Sequence, residues 1–326
     1  MDKITVLMAV YDPPERWIIE QLQSIDRQTY SNIELVIRDD CSPNVDFHRI
    51  QQLVSENMRR VPYRILRNEK NLGSTKTFEC LTREASGDYF AYCDQDDIWN
   101  ADKLEKSWKT LTEQNCVMLC SNADVIDGDD VLQYKGHMSI PDSFSECIRS
   151  GEAWKTLLVK NYFWGCTLMI RADIAKQSLP FLEGMYHDQY LELFASMQGN
   201  IYFLNESLMQ YRIHGSNQTG FLKNVCSKRD YYENRICILI DRYQRLLDKK
   251  LEEPYCTYIR NLHEWAVSRK EYAEGKWTAL PGVLKGRMYN RNTTLFELFM
   301  MPLPNFIWVY LLRVLKKLNA MRHKNS

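Results

Sequence analysis

This 326-residue chain has only 13 glycines, and their spacing removes several chemistries at once. No two are separated by a single residue, so the G-x-G core of a dinucleotide-binding loop cannot form. Gly215 and Gly220 alone have the step of a phosphate-binding P-loop, and Phe221 stands where that loop needs lysine. H-E-x-x-H and G-x-S-x-G are also missing, which removes the commonest zinc-protease and serine-hydrolase signals. The ten cysteines include no C-x-x-C pair, and most have apolar neighbours. Reduced core thiols fit better than structural zinc or a disulfide framework. Long apolar runs are absent as well. The run Ile4 to Val10 is short, has no small-residue cleavage site and gives way to Asp12-Pro13-Pro14, so it reads as a first strand rather than an export signal. The 15 uncharged residues Leu298 to Leu312 are interrupted by Pro302 and Pro304, too short and broken for a confident membrane span.

What is present describes a folded protein: 45% apolar, 26% charged and 12% aromatic residues, enough for one large domain or a domain with an appendage. Basic and acidic side chains balance at 42 each, yet residues 221–326 hold 20 basic and 10 acidic, leaving 22 and 32 before them. An acidic body therefore precedes a basic end. Short β-forming runs at Lys3 to Val10, Ile33 to Arg38, Tyr63 to Leu66, Tyr89 to Cys93 and Val117 to Cys120 alternate with helical periodicity at Pro14 to Arg27, Val45 to Met58, Thr75 to Ala85 and Ala101 to Gln114. Asn100 is placed to cap the last of these helices. Four alternations predict an α/β fold with a largely parallel sheet and a ligand crevice at the carboxyl ends of its strands. Less regular elements follow: helices at Glu152 to Val159 and His187 to Met197, and strands at Cys166 to Ile170, Ile201 to Leu204 and Leu208 to Ile213. Beyond Gly220 only helical signals remain, at Cys226 to Leu251 and Tyr255 to Ala273. The expected division is 1–220 and 221–326.

Two strands end in acid. Tyr89 to Cys93 runs into Asp94-Gln95-Asp96-Asp97, and Glu34 to Arg38 runs into Asp39-Asp40-Cys41-Ser42. With a period of two, Asp94 and Asp96 share a side. Carboxylates crowded this way call for a cation, and Mg²⁺ or Mn²⁺ completed by a substrate diphosphate would supply it. In a parallel sheet both clusters open on one crevice, the second free to accept from a nucleobase or ribose, with Tyr11 flanking the base. Acidic turns that merely cap the following helices are the plainer alternative.

In order, these pieces resemble the family-two glycosyltransferases of the GT-A fold, in their bacterial rhamnosyltransferase-like branch. The resemblance runs through Val6 to Tyr11, Gln21 to Ile25 with Gln28-Thr29-Tyr30, Ile37 to Ser42, Asn68 to Gly73 with Lys76 and Phe78, and Asp94 to Trp99. It continues in Gly165-Cys166-Thr167, His187-Asp188, and Tyr211 to Gly215 with Asn217. It covers about residues 1 to 220 and implies a GT-A catalytic domain with a mainly parallel central sheet, followed by a helical region. It implies that Tyr11, Asp39, Asn71, Lys76 and Asp94 bind a UDP- or dTDP-sugar, that Asp94, Asp96 and His214 hold the divalent metal, and that Asp188 is the base of an inverting transfer. Asp188 also opens a helix, whose dipole favours the ionised form a base requires. Capping alone would explain it too, and His214 could equally be an ordinary loop residue. Three departures stand out: Asp12-Pro13-Pro14 replaces the usual Asn and Gly, Pro43-Asn44 ends a motif that usually closes in Asp, and His187 stands where an acid is common. The Q-x-x-R-W signature of processive synthases is missing, which favours transfer of a single sugar.

From Gly275 onward nine basic residues face one acid, Glu297. Ile307, Leu311, Val314 and Leu318 form one helical stripe, with Arg313, Lys316 and Lys317 opposite. With Trp308 and Tyr310 this predicts a segment lying on an anionic membrane leaflet, removable after about residue 295 without unfolding the rest. Docking on the protein itself or on a second copy in a homodimer is the alternative. Nucleic acid is not expected as a partner of so acidic a body. The expected function is metal-dependent transfer of one sugar to a saccharide acceptor, lipid-linked, at the cytoplasmic face of the cell membrane in cell-surface polysaccharide synthesis. The competing readings are a sugar-1-phosphate nucleotidyltransferase, whose Gly-rich opening loop is missing after Val10, and a non-catalytic sugar-nucleotide-binding scaffold.

Overall fold

The computed structural model describes residues 1–215, 217, 222 and 224–322. Chain contacts divide the molecule into two compact units, Met1–Phe181 with Met185–Gly215, and Leu182–Gly184 with the remainder from Ser216. The boundary expected at Gly220 falls outside the described residues.

The first unit is built on one nine-stranded sheet. Its first half alternates as expected: β1 (Ile4–Val10), α1 (Glu15–Asp26), β2 (Ile33–Asp39), α2 (Phe47–Asn57), β3 (Tyr63–Arg67), α3 (Ser74–Glu84) and β4 (Tyr89–Cys93). Then come β5 (Ile98–Trp99), α4 (Lys103–Glu113), β6 (Met118–Ile126), β7 (Leu132–Tyr134), α5 (Asp142–Arg149), α6 (Ala153–Leu157), β8 (Leu168–Arg171), α7 (Ala172–Gln177), α8 (His187–Gln198) and β9 (Ile201–Arg212). The spatial order is β3-β2-β1-β4-β8-β6-β9-β5, with β7 paired to β6. Strands β3, β2, β1 and β4 are parallel, and β8 enters antiparallel between β4 and β6. Strand β1 lies between two parallel neighbours and is buried along almost its whole length, which is why its sequence is apolar but for Thr5 rather than alternating.

A polar side chain just past the end of α1 fixes the layers. Gln28 is buried, donates to the Asn100 carbonyl at 2.7 Å and accepts from the Leu104 N–H at 3.0 Å, so α1 and the start of α4 are tied through one amide. The expected Asn100 cap is not formed: α4 starts at Lys103, and the Asn100 side chain donates instead to the Ser207 carbonyl at 2.9 Å. The two strands expected at 201–204 and 208–213 are one, β9, carried past polar Asn205 and Glu206 by register shifts against β6. Strands β5 and β7 and helices α5 and α7 were not legible, being short or only weakly periodic.

The second unit is helical: α9 (Lys228–Tyr231), a π-helical stretch Tyr232–Cys237, α10 (Ile238–Asp248), α11 (Tyr255–Ala273), α12 (Leu280–Lys285), α13 (Arg291–Met300) and α14 (Asn305–Arg322). Its core gathers Tyr231, Ile236, Val283, Met300, Met301, Trp308 and Leu312. A buried ion pair crosses it, Arg269 donating to both oxygens of Glu297 at 2.8 and 2.5 Å while the Tyr231 hydroxyl donates to one of them at 2.9 Å. This overturns part of the reading of the tail. Trp308 and Leu312 are 0% and 2% exposed and form the inward face of α14, whereas Phe306 and Tyr310 are 75% and 67% exposed. The stripe expected to meet lipid is split, with Ile307 and Leu311 half-buried and Val314 and Leu318 exposed. Trp308 offers the largest apolar surface on the helix, so burying it sets the rotation.

Trp308→Ala should therefore cost about 3–5 kcal/mol, the usual range for emptying a large aromatic site. Removal of everything after residue 295 should leave the second unit unfolded, contrary to the expectation from sequence. Urea denaturation and limited proteolysis measure both, and a truncated chain as resistant as the full one would show that α14 adds nothing to this core.

Candidate active site

At the carboxyl ends of the parallel strands, β1 and β4 are joined by a residue that sequence reasoning passed over. Gln95 accepts from the Tyr11 N–H at 2.8 Å and donates to the Tyr11 carbonyl at 3.0 Å, so its side chain acts as a short piece of strand between the two ends. Tyr11 is thereby held with its side chain 45% exposed at the rim.

The two departures near β1 and β2 turn out to be one. Asp12, at a positive φ of 43°, accepts from the Asn44 and Val45 N–H groups at 2.9 and 3.1 Å, and from the Asn44 side-chain amide at 2.7 Å. Where the family pattern has amide at the first position and acid at the second, this chain has acid and amide, and the two are bonded to each other. Asp39 is fully buried. Its Oδ1 accepts from the Ser42 N–H at 3.1 Å and hydroxyl at 2.5 Å, and its Oδ2 lies 3.1 Å from Arg67 Nε. Arg67, 39% exposed and over the Phe47 ring, is the outward-facing member of that pair. Asp40 is structural, accepting from Asn68 at 2.8 Å and from the Leu72 and Gly73 N–H groups at 2.7 and 2.8 Å. Asn71, exposed, accepts from the Gly73 N–H at 3.1 Å in the same turn, where Gly73 has a φ of 80° that favours glycine. Lys76 is engaged at 2.6 Å with Glu79, a buried carboxylate shared with Arg83, rather than standing free over the crevice.

The acidic turn after β4 divides its labour. Asp97 points inward and is fully buried; its Oδ1 accepts from the Arg212 N–H at 3.0 Å, while Oδ2 has no hydrogen-bond partner. Burial and the nearby Asp96 and Asp94 push its carboxyl well above the usual range. Asp96 faces His214, Nε2 to Oδ2 2.8 Å, and the His214 ring rests on Trp17 at 4.9 Å between centroids. Asp94 is pushed up to about 7 by burial, then by Asp96 and Asp188. Of the expected metal set, Asp96 and His214 are in contact and Asp94 feels the charge of Asp96, but among the described residues the three do not converge on one cluster of ligand atoms. A further grouping was not foreseen: ligand atoms of Asp94, Asp97 and Cys166 all lie within 4.8 Å of one another.

Arg212 organises this end of the sheet. Its side chain is fully buried and donates to the Asp96 carbonyl at 2.8 Å, Glu20 at 2.7 Å, the Asp127 carbonyl at 3.2 Å and Asp130. In sequence it stood within the Tyr211 to Gly215 stretch that carries the family resemblance, with nothing to mark its organising role.

Asp188 enters from α8. Burial raises its carboxyl to about 6, opposed by N–H groups of Gln189 and Gly165, so burial outweighs the helix dipole that was expected to keep it fully ionised. Gly165 makes the approach possible: a methyl there would sit 2.8 Å from His187 Nε2 and 3.2 Å from Asp188 Cβ. His187 is no second acid but packing. Its ring stacks on Phe78 at 4.0 Å, burial lowers it to about 3, and it is a neutral imidazole. Beside Gly165 runs a chain of half-buried rings, Trp164 on Tyr211 at 4.4 Å, His137 at 5.9 Å from Trp164, and Tyr134 on His137 at 4.8 Å. Ser216 of the expected His214 loop lies outside the described residues.

Comparison with known proteins bears on this geometry. Residues 5–179 match the model of Glycosyl transferase family 2. An Escherichia coli protein, the UDP-Glc:alpha-D-GlcNAc-diphosphoundecaprenol beta-1,3-glucosyltransferase WfgD, is 27% identical over 204 residues, 62% of this chain and 73% of that one. An uncharacterized glycosyltransferase of Nostoc sp. is 26% identical over 70% of each chain. The structure of S. aureus TarS in complex with UDP-GlcNAc superposes with a TM-score of 0.57 at 18% identity, over 83% of this chain and 73% of that one. A Pyrobaculum calidifontis mannosyltransferase with GDP-Man and Mn²⁺ gives 0.56 at 15% identity, over 88% and 75%. At such identities the last two establish the shared GT-A fold.

Arg212→Leu should destabilise the protein by about 3–5 kcal/mol, since removing one member of a buried ion cluster strands its partners. Arg212→Lys, which keeps the charge but not the fork, should recover only part of this. Chemical denaturation of both variants measures it, and a Leu variant as stable as the parent would remove Arg212 from its organising role.

Proposed function

This chain belongs to glycosyl transferase family 2, and on that footing we propose that it transfers a single sugar from a nucleotide-sugar to a saccharide acceptor with inversion at the anomeric carbon. The observation that carries the mechanism is Asp188: a half-buried carboxyl raised to about 6, in the electrostatic field of Asp94, at the edge of the crevice where β4 ends. Such a group is ionised near neutral pH yet basic enough to accept a proton. As the acceptor hydroxyl attacks, its proton passes to Asp188, its oxygen bonds the anomeric carbon, and the carbon–oxygen bond to the diphosphate breaks with its electron pair leaving on the nucleoside diphosphate. In this reading Asp188 is the general base.

We read Asp94, Asp96 and His214 as the donors of a divalent metal: the two acids offer hard carboxylate oxygens and His214 an imidazole nitrogen, and a cation there would offset the burial and the like charges that raise Asp94. Mn²⁺ or Mg²⁺ bound there would neutralise the charge developing on the leaving diphosphate. The mannosyltransferase bound to GDP-Man and Mn²⁺ supports this reading. Tyr11 at the rim flanks the base, and the Asp39–Arg67 pair beneath presents Arg67 rather than Asp39 to it. Asn71 and Lys76 border the same crevice, Lys76 reaching a phosphate only by leaving Glu79. The TarS complex with UDP-GlcNAc and the UDP-glucose in the name of WfgD favour a UDP-sugar, with dTDP-rhamnose as the branch alternative. The chain of rings from Trp164 to Tyr134 suits the apolar faces of an acceptor saccharide. The diphosphoundecaprenol acceptor named for WfgD favours a lipid-linked one, in cell-surface polysaccharide synthesis at the inner face of the cell membrane. No helix among the described residues is long and apolar enough to cross a membrane, so attachment would be peripheral.

Release of nucleoside diphosphate from UDP-, dTDP- and GDP-sugars with Mn²⁺ and an acceptor tests the reading; binding without turnover would point to a scaffold, and reversible pyrophosphate chemistry to a nucleotidyltransferase. Asp188→Asn should lower kcat at least about 100-fold with donor affinity kept, and loss of donor affinity with the rate would make Asp188 a donor-binding residue. Because the base works deprotonated and sits near 6, the parent rate should fall as pH drops below about 6 and level off above it. Asp96→Ala should abolish metal-stimulated nucleotide binding; near-normal activity of that variant in excess chelator would remove the metal.

A further inference from the structure

The rotation that buries Trp308 gives α14 a second face with its own character. At 3.6 residues per turn, Phe306, Tyr310, Arg313 and Lys317 fall within an arc of about 60°, directly opposite Trp308 and Leu312. Phe306 and Tyr310 are 75% and 67% exposed, and Arg313 and Lys317 are also exposed. Val314 and Leu318 continue the arc on one side, 37% and 50% exposed. On α13, Leu295 and Phe299, one turn apart, are 47% and 66% exposed. Water has no use for so many uncovered large apolar side chains on two consecutive helices.

The charge says what covers them. From Gly275 to the end of the chain the sole acid is Glu297. That acid is 1% exposed, consumed inside the helical core by Arg269 and Tyr231. The outer surfaces of α13 and α14 therefore carry cations and no carboxylate of their own. Lys316 is turned aside, donating to the Val225 carbonyl at 2.8 Å, which leaves Arg313 and Lys317 as the cations flanking the aromatic pair. Aromatic rings beside Lys and Arg on a face with no anion match the boundary between headgroups and acyl chains of an anionic bilayer.

We propose that the outer face of α14, with Leu295 and Phe299 of α13, docks this protein in the plane of an anionic lipid surface, Phe306 and Tyr310 entering the interface and Arg313 and Lys317 meeting the headgroups. The surface differs from the one the sequence pattern suggested, since the Trp expected to anchor in lipid anchors the helix in its own unit. The inference deepens the lipid-linked-acceptor reading, but it is tested without substrate, so either can fail alone.

The test is sedimentation of the full-length chain with phosphatidylcholine vesicles, with and without about one third phosphatidylglycerol. Binding to the anionic vesicles only, weakened by high salt, is expected. Arg313→Glu with Lys317→Glu should lower partitioning at least about tenfold, each lost cation contributing several-fold. Phe306→Ser with Tyr310→Ser should lower it further at high salt than at low salt. Both pairs lie on an exposed face, so thermal midpoints and nucleotide release on a short soluble acceptor should match the parent. The proposal is overturned if the parent ignores anionic vesicles, if neutral vesicles bind it equally, or if both variant pairs bind like the parent. Light scattering that shows a stable dimer split by Phe306→Ser with Tyr310→Ser would also overturn it, assigning the face to a second copy. If vesicle binding behaves as expected while no nucleotide-sugar is turned over, the docking face stands and the transferase reading falls.

Discussion

One buried guanidinium holds together the end of the first unit where the acidic turn after β4 lies. Arg212 closes β9, and its donors reach the Asp96 carbonyl, Glu20 on α1, and Asp130 with the Asp127 carbonyl in the turn after β6. Its own N–H holds Asp97. Placing a charge out of water is costly unless it is surrounded by partners. Here the partners are backbone carbonyls and acids on three elements, whose ion pairs and hydrogen bonds offset the cost of burial and fix the turn after β4. The planar fork suits several acceptors at once in a way an ammonium does not. His214, two residues on, is brought to Asp96 by the same anchoring.

Around that fixed point the crevice is under deliberate electrostatic tension. Asp94 is raised by burial and then by its acidic neighbours, and Asp188 by burial, whereas the acids that serve structure, such as Asp12 and Asp40, are filled by N–H donors. The contrast separates the two classes of carboxylate without reference to any relative. Satisfied acids hold loops; unsatisfied ones await a cation or a proton. A neutral His187 stacked on Phe78 and a glycine at 165 let α8 approach closely enough to join Asp188 to this field.

The helical unit solves a different problem. Its Arg269–Glu297 pair removes the sole acid of the last 52 residues from the surface, and its core takes the larger apolar side chain of α14. Both choices leave an uncovered face of aromatic and basic residues. Core packing and surface chemistry are thus set together by one helix rotation.

Much of this was legible before folding. Alternating β and helical periods gave the first four strands and helices nearly to the residue, because a parallel strand buried on both faces must be continuously apolar and its crossover helix must show a 3.6 period. The acidic strand ends, and the order in which they occur with Gly165, Asp188 and His214, were enough to name the family. Sequence alone could not say which acids stay accessible, since Asp39 and Asp96 look alike in one dimension and differ only in what folds over them. Gln95 and Arg212 stand inside recognisable motifs and Arg67 in none, and all three acquire their roles only from strands brought side by side. The exchange of acid and amide between positions 12 and 44 looked like two losses until the chain placed them 2.7 Å apart. The face that α14 turns outward was likewise decided by tertiary structure. A helical stripe records which residues can share a face, while the energy of burying one Trp determines which face goes in.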